Sequence, residues 1–327
     1  MKKKIVAYCY EGLGNRLDTL IAAAFIAKRY NCELSMFWVS NQISFDIELS
    51  DMFDNMKVSI LDESEFDSFF KNNSSNMFAM SRNFSNIANY VPLHSCENFN
   101  CNVSLQQLDT IDKEIIFIQT CTIPPWCMNE YALKAFYEYF KIKPQLIKPP
   151  LAKIGIHIRG TDMFEDLHIK GAGVKKAVDY AIEVAQKHKN QMIFICSDDE
   201  QIESSLRQLK EYKFVMYDKV YVEKREAQSD FNKNLNKNGL VYSYSNLNHF
   251  EYKGKQFKDI TQTNLVRSKE QILGGITDLF ALAQVDNLYS YETSKISTFF
   301  ALAKLIKQLD CFPEFVKRDK KQRNVLL

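Results

Sequence analysis

The sequence lacks several features that define large classes of proteins. It has no run of 18 apolar residues, the length that a membrane-spanning helix needs. It has no GxxxxGK(S/T) segment, which excludes a P-loop NTPase. Its 42 basic and 40 acidic residues nearly cancel, so it lacks the strong positive field on which many nucleic-acid-binding proteins depend. These absences favour a globular protein that does not bind nucleic acid.

The eight cysteines include no CxxC pair and show no metal-ligand spacing. Cys9 and Cys196 lie within apolar segments typical of strands, so we expect reduced, buried thiols and no bound metal. The N-terminus runs from three lysines into a short apolar strand and then a glycine motif, a pattern unlike a signal peptide. Together these features predict a cytoplasmic protein.

The 327 residues suffice for two domains of ordinary size. Strand-like and helix-like segments alternate along the chain, which predicts right-handed βαβ units, parallel sheets and the α/β class. Prolines at 144, 149 and 150 place the domain boundary between residues 1–148 and 149–327. The region 41–112 is rich in Asn, Ser and Phe, and we expect it to hold short helices and long loops.

The second half has the more regular pattern of elements. It predicts strands at 153–158, 191–196, 213–217 and 287–291, and helices at 172–188, 199–211, 269–284 and 295–308.

The segment 157–162, HIRGTD, carries the strongest functional signal. It ends an apolar run that predicts a buried strand, and in open parallel sheets ligands bind at the carboxyl ends of the strands. Arg159 presents a planar fork of N–H donors suited to a phosphate, with a surface ion pair as the simpler alternative. His157 is either a core histidine or a ligand contact. The motif therefore predicts a phosphorylated ligand.

The first predicted strand ends in GLGNRL, which includes Gly14, Asn15 and Arg16. Glycines there let backbone N–H groups approach an anion at a helix N-terminus, although a structural turn is the alternative. NAD binding is disfavoured, because Leu17 stands where the dinucleotide fingerprint has its third glycine.

Two other strand ends carry polar residues. Asp198 and Asp199 could cap the next helix or hold Arg159, and a metal site is disfavoured because no complementary ligand cluster is visible. Before the final helix, polar residues either bind an anion or serve as caps. Those residues are Thr293, Ser294 and Ser297.

Asp278 lies at the flank of the apolar face of the helix predicted at 269–284. A carboxylate in so apolar a neighbourhood needs a partner, because an isolated buried charge is costly. Two kinds of partner would satisfy it: the N1–H and N2–H₂ donors of a guanine, or an internal lysine or arginine.

The three strand-end motifs and the closing segment TDLFALAQVDNLYSYETSKIS resemble the fucosyltransferase superfamily. This superfamily includes α-1,6-fucosyltransferases, bacterial nodulation fucosyltransferases and protein O-fucosyltransferases. The resemblance covers residues 151–308 best, and its most specific part is the spacing of Asp278, Asp286, Thr293 and Ser294. It implies a GT-B-type fold, in which two Rossmann-like domains face each other across a cleft. The C-terminal domain would bind a GDP-sugar and the N-terminal domain would shape the acceptor site.

The resemblance also implies roles for individual residues. Arg159 would hold the β-phosphate, His157 would line the guanine side and Asp278 would read guanine N1 and N2. The other predicted donor-binding residues are Gly14, Asn15, Arg16, Asp198, Asp199, Thr293, Ser294 and Ser297.

Two positions depart from the family's pattern. Gly160 stands where the α-1,6 enzymes usually carry a second arginine, and Leu167 stands where their proposed catalytic glutamate would fall. Glu165 and Asp166 are the nearest carboxylates and are the candidates for the catalytic base.

The sequence thus predicts an inverting, metal-independent glycosyltransferase that moves a sugar, with L-fucose as the first choice, from a GDP-sugar to a glycan or lipid-linked glycan. The alternatives are a transferase for another GDP-hexose or GDP-heptose, and a catalytically silent module that binds a glycan or a nucleotide. The basic tail at 317–324 is expected to be solvated or to contact the inner membrane.

Overall fold

The computed structural model of the chain contains alternating strands and helices, as predicted for the α/β class. The residues it describes are 3–9, 12–38, 47–73, 76–81, 98–99, 103–120, 123–160, 170–221, 223–224, 250–252, 255–257, 265–266, 268–291 and 297–316. The helices are α1 (Leu13–Tyr30), α2 (Leu49–Met52), α3 (Glu63–Asn73), α4 (Leu105–Thr110), α5 (Glu130–Tyr139), α6 (Lys170–Lys187), α7 (Glu200–Gln208), α8 (Lys269–Gln284) and α9 (Thr298–Leu309). None of these described helices combines the length and apolarity needed to cross a bilayer.

The described strands fall into two parallel sheets and three small antiparallel pairs. They are β1 (Lys4–Cys9), β2 (Glu33–Trp38), β3 (Phe53–Met56), β4 (Ser59–Ile60), β5 (Met77–Ser81), β6 (Asn98–Phe99), β7 (Ile115–Gln119), β8 (Phe140–Ile142), β9 (Ile154–Ile158), β10 (Ile193–Ser197), β11 (Phe214–Val215), β12 (Glu223–Lys224), β13 (Phe250–Tyr252), β14 (Lys255–Phe257), β15 (Leu265–Val266) and β16 (Asn287–Tyr291). The antiparallel pairs are β3 with β8, β12 with β15, and β13 with β14.

The first sheet has the strand order β4-β2-β1-β7-β5-β6, and every described pairing in it is parallel. β1 lies near its centre, with Ile5 level with Leu34 on one side and Ile116 on the other. The central strands β1 and β7 carry apolar side chains on both faces, as expected when helices cover a parallel sheet on both sides. One face packs on α1, and the other forms an aromatic cluster around Phe66 of α3.

The prediction of long loops over residues 41–112 is wrong for the described part of that region. It contributes β4, β5 and β6 to the first sheet, although the short helices predicted there are present as α2, α3 and α4. β4 and β6 contain two residues each, too few for an alternating pattern to show in the sequence. Their positions come from pairing with β2 and β5.

The second sheet has the strand order β11-β10-β9-β16, again with parallel pairings. The strands predicted at 153–158, 191–196 and 287–291 agree with β9, β10 and β16 to within two residues, and the helix predicted at 269–284 coincides with α8. In β9, His157 is level with Cys196 of β10 and Ser290 of β16. Because the strands are parallel, their carboxyl ends lie along one edge of the sheet.

Helices α8 and α9 join the second sheet to the first. α9 packs on both α8 and α1, and apolar side chains from the three helices form one continuous core. The contact includes Leu17 and Ile21 of α1, Ile276 of α8, and Leu302 and Ile306 of α9, around a shared apolar space. Each such fully buried side chain contributes roughly 1.5–3 kcal/mol, so this interface is a major part of the stability of both units.

Candidate functional site

Four of the residues predicted for the site lie at the carboxyl edge of the second sheet: His157, Arg159, Asp198 and Asp199. Arg159 directly follows β9, and Asp198 and Asp199 directly follow β10. Arg159 is partly exposed, whereas His157, two residues earlier in the strand, is buried. Parallel pairing of β9 with β10 therefore places Arg159 at the same sheet edge as Asp198 and Asp199.

The two aspartates after β10 have identifiable structural roles. The backbone N–H of Gly160 donates a hydrogen bond to Asp198 Oδ1 over 2.7 Å, which ties the residue after Arg159 to the neighbouring strand end. Asp199 caps α7, because its Oδ1 accepts from the backbone N–H of Gln201 over 2.9 Å. The helix-cap interpretation is thus correct for Asp199.

Gly160 is enclosed by the same residues. A Cβ atom added there would lie 2.8 Å from Ile202 Cδ1 and closer still to the Cβ of Asp199. Any side chain at this position would require its neighbours to move. Gly160 is therefore fitted to close packing between the ends of β9 and β10.

His157 lies in an aromatic and apolar environment. Its ring is nearly parallel to those of Phe299 and Phe300 in α9, with centroid separations of 5.4 and 5.8 Å. Burial, with smaller contributions from the nearby charges of Arg159 and Lys219, lowers the pKa of His157 to about 3, so the imidazole is neutral at neutral pH. Its Nδ1 atom is buried and has no hydrogen-bond partner among the described residues.

Asp278 is buried in α8, with 3% of its surface exposed. Its Oδ2 atom accepts from the ammonium of Lys219 over 2.7 Å, which is the internal partner considered from the sequence. Its Oδ1 atom is buried without a hydrogen-bond partner in the described part of the chain. One oxygen is thus satisfied internally, and the other keeps the capacity to accept from a ligand.

Lys219 also pairs with Glu203 of α7, at 2.7 Å from Oε1. The same Glu203 oxygen accepts from the backbone N–H of Ser197 over 2.9 Å, and Oε2 accepts from the Tyr221 hydroxyl over 2.5 Å. Burial by itself would lower the pKa of Lys219, but nearby Asp278, Cys196 and Glu203 together outweigh it and raise that pKa. Two carboxylates and one ammonium leave this cluster with one net negative formal charge.

His157 and Asp278 are both neighbours of Cys196. Cys196 is the register partner of His157 in the sheet. Burial, followed by the charge of Asp278, raises the pKa of the Cys196 thiol well above its usual range, which places Asp278 close to that thiol. Both residues therefore lie near the carboxyl ends of β9 and β10.

Gly14 lies where the first and last helices meet. A Cβ atom added there would lie 2.5 Å from Thr298 Oγ1 and 2.9 Å from the backbone nitrogen of Phe299. The glycine therefore allows the first turn of α1 to touch the first turn of α9. Because Phe299 also stacks on His157, this contact brings the GLGNRL motif close to the HIRGTD motif.

Arg16 and Asn15, which are adjacent in the chain, differ in their environment. Arg16 is fully buried; its Nη1 donates to the backbone carbonyl of Cys9 over 2.9 Å, and its guanidinium lies 4.7 Å from the centre of the Trp38 ring. These contacts are at the carboxyl ends of β1 and β2, within the first sheet. Asn15 is partly exposed in the first turn of α1.

Of the remaining predicted residues, Ser297 is the N-cap of α9. It is buried, and its hydroxyl accepts from the backbone N–H of Phe300 over 3.4 Å. Four predicted residues lie outside the described part of the chain: Glu165, Asp166, Thr293 and Ser294. Among the described residues, no group of three or more His, Cys, Asp or Glu side chains is arranged to hold a metal ion.

Four residues around the site were not predicted from the sequence: Lys219, Glu203, Tyr221 and Phe299. The need of a buried Asp278 for a partner was a signal that a basic residue would be found nearby. Nothing in the sequence selects Lys219 from the 42 basic residues. In the sequence, Phe299 and Phe300 are indistinguishable from the other apolar residues of the final helix.

No protein-family model matches this sequence, and no curated protein matches it. Among solved structures, the chain is similar to the NodZ α-1,6-fucosyltransferase soaked with GDP-fucose, at 13% identity over 93% of this chain and 92% of that chain, with a TM-score of 0.47. It is also similar to fucosyltransferase NodZ from Bradyrhizobium, at 12% identity over the same shares of both chains and with a TM-score of 0.47. A mutant of Arabidopsis thaliana FUT1 in complex with GDP aligns at 13% identity over 94% of this chain and 69% of that chain, also with a TM-score of 0.47.

Proposed function

We propose that this chain is an inverting, metal-independent glycosyltransferase that moves L-fucose from GDP-fucose to a glycan acceptor. The observation that carries the proposal is the pair of buried polar atoms near Cys196, Asp278 Oδ1 and His157 Nδ1, for which the described residues provide no partner. Buried polar atoms are nearly always hydrogen-bonded, so an unsatisfied pair at a sheet's carboxyl edge marks a place for a ligand.

The chemistry of this pair suits a guanine base. A carboxylate oxygen has two lone pairs and no proton to donate, so Asp278 Oδ1 complements the adjacent N1–H and N2–H₂ donors of guanine. Uracil and cytosine do not present such a donor pair. Neutral His157 offers either a donor or an acceptor, according to its tautomer, to another edge of the base.

Arg159 is the proposed contact for the diphosphate. It follows β9 at the edge of the sheet and is partly exposed, while the next residue is fixed to Asp198. A guanidinium can bind two phosphate oxygens at once, and its charge stabilises the diphosphate as it leaves. Arg159 can thereby take the part that a divalent cation has in other transferases. Thr293, Ser294, Ser297 and the first turn of α1 are proposed to complete the donor site.

The acceptor side rests on the sequence prediction alone. Glu165 and Asp166 are the proposed candidates for the base that removes the proton of the acceptor hydroxyl while the anomeric carbon gains positive charge. The first domain is proposed to shape the site for a glycan or a lipid-linked glycan. We propose a cytoplasmic location. We also propose that the basic tail at 317–324, which lies outside the described residues, contacts an anionic membrane surface.

The test is calorimetric titration of GDP and UDP into the wild-type protein and the Asp278→Asn variant. The wild type should prefer GDP, and the variant should bind GDP more than about tenfold more weakly, because the amide turns one acceptor into a donor that faces a donor. Asp218→Asn is the matched control, since the Asp218 side chain is fully exposed beside Lys219. Unchanged GDP binding in Asp278→Asn, or equal binding of UDP by the wild type, would remove the basis for a guanine nucleotide.

A second measurement separates an enzyme from a silent binding module. An active transferase should slowly hydrolyse GDP-fucose when no acceptor is present, and should release GDP faster when the acceptor is added. Donor binding without any turnover would favour the module. Faster turnover of another GDP-hexose or of a GDP-heptose would keep the site and change the sugar.

A further inference from the structure

Lys219 is a buried lysine to which the proposed chemistry assigns no direct contact with the donor. Its side chain is 7% exposed, and its ammonium lies 2.7 Å from both Asp278 Oδ2 and Glu203 Oε1. A buried charge is costly unless it is paired and hydrogen-bonded. Lys219 and the two carboxylates therefore fix one another in position.

Lys219 packs along one face of α8. Gly274 and Asp278 are four residues apart and so lie on the same face of the helix. The Cβ atom of Lys219 approaches Gly274, where an added Cβ would meet it at 3.5 Å. The aliphatic part of Lys219 therefore passes beside Gly274, and its ammonium reaches the carboxylate one turn later.

Glu203 anchors the other side of Lys219 to the second sheet. It is fully buried and accepts hydrogen bonds from the backbone N–H of Ser197 at the end of β10 and from the Tyr221 hydroxyl. The chain of contacts runs from the strand end through Glu203 and Lys219 to Asp278. The position of the Asp278 carboxylate is therefore tied to the sheet edge at which Arg159 emerges.

We propose that Lys219 is a positioning residue for recognition of the base: it occupies Asp278 Oδ2 and so directs Oδ1 at the donors of guanine. This inference rests on the proposed function, in which Asp278 reads the base. It assigns Lys219 a part in selectivity, because a carboxylate free to rotate would accept from other donors as readily as from the 2-amino group of guanine.

The experiment compares GDP with inosine diphosphate, which lacks only the 2-amino group. The main variant is Lys219→Met with Glu203→Gln, which removes the ammonium yet keeps the net formal charge of the cluster and so avoids two uncompensated buried carboxylates. Glu203→Gln alone is its matched control, since it leaves the contact between Lys219 and Asp278 in place. Both proteins are titrated with each nucleotide, and their thermal unfolding is measured.

We expect the wild type and Glu203→Gln to prefer GDP over inosine diphosphate by about tenfold, the effect of one charge-assisted hydrogen bond. The double variant should prefer GDP by less than about threefold, and adding Asp278→Asn to it should cost little more. A double variant that unfolds at a lower temperature but keeps the wild-type preference would show that Lys219 is purely structural. If the double variant does not fold, Lys219→Arg is tested instead, because it keeps a positive charge but changes the shape of the group that contacts Asp278. An unchanged preference of Lys219→Arg for GDP over inosine diphosphate would refute positioning by Lys219. Wild-type protein that binds neither nucleotide would instead refute the proposed function.

Discussion

Substitution of Gly160 by alanine tests the packing between the ends of β9 and β10. The added methyl group would lie 2.8 Å from Ile202 Cδ1 and nearer to the Cβ of Asp199, and both neighbours are buried. Movement of Asp199 would be costly, because its side chain caps α7. We therefore expect Gly160→Ala to displace the backbone that follows Arg159 and to weaken the hydrogen bond from Gly160 to Asp198.

The expected loss follows from the cost of overpacking. Forcing a methyl group into a filled interior costs roughly 1–3 kcal/mol. The entropy of unfolding is about 2.1 cal/mol/K per residue, so for 327 residues a change of 1 kcal/mol shifts Tm by about 1.5 °C. Gly160→Ala should therefore lower Tm by about 1.5–4.5 °C.

The assay is thermal and urea unfolding, with Gly274→Ala as the control. Gly274 is inside α8, and an added Cβ there would meet Lys219 only at an ordinary contact distance of 3.5 Å. Alanine is favoured over glycine inside a helix by about 0.5–1 kcal/mol, so this control should be slightly more stable than the wild type. The two Gly→Ala changes should thus have opposite signs. Equal stability of Gly160→Ala and the wild type would refute the packing argument.

Three further predictions concern the site. Arg159→Ala should lower the transfer rate at least about a hundredfold, the scale for losing one electrostatic stabiliser. Arg159→Lys should recover little of that rate, because lysine lacks the planar fork of donors. A near-normal rate of Arg159→Ala would exclude Arg159 from the site. Sugar transfer should persist in EDTA, because Arg159 can stabilise the leaving diphosphate. If EDTA abolished transfer and Mn²⁺ or Mg²⁺ restored it, the prediction would be wrong, and Asp198 and Asp199 would be the first candidates for metal ligands. The pKa of His157 is about 3 in the folded protein and about 6.5 when unfolded, so its contribution to stability is complete above pH 6.5 and is lost as pH falls towards 3. His157→Phe should reduce the dependence of the unfolding free energy on pH over that range by up to about 1.4 kcal/mol per pH unit. An unchanged dependence would show that His157 is not the group responsible.

The regular elements of the second half, and the positions of its motifs on them, could be predicted from the amino-acid pattern alone. β9, β10 and α8 could be predicted because each is an apolar segment bounded by polar residues, and burial enforces such a pattern locally. Once the strands were taken as parallel, Arg159 and Asp198 had to emerge at one sheet edge. That part of the candidate site needed no tertiary information beyond the α/β class.

Strand order and the shortest strands depend on contacts between segments that are distant in the chain. β4 and β6 have two residues each, and their hydrogen-bonding partners are β2 and β5 rather than each other. So short a segment has no periodicity of its own. Whether it forms a strand depends on a neighbouring edge to which it can pair, and the sequence of the segment does not specify that edge.

The same distinction holds within the site. From the sequence it followed that a buried Asp278 requires a partner, since the cost of burying a charge depends only on its surroundings being apolar. That the partner is Lys219, and that it occupies one carboxylate oxygen while the other is left for a ligand, depends on how β11, α7 and α8 pack. Likewise, Gly14 reads as a turn residue, but its close contact with Thr298 joins helices at opposite ends of the chain. Local chemistry set what each residue requires, and the packing of distant segments decided which residue meets that requirement.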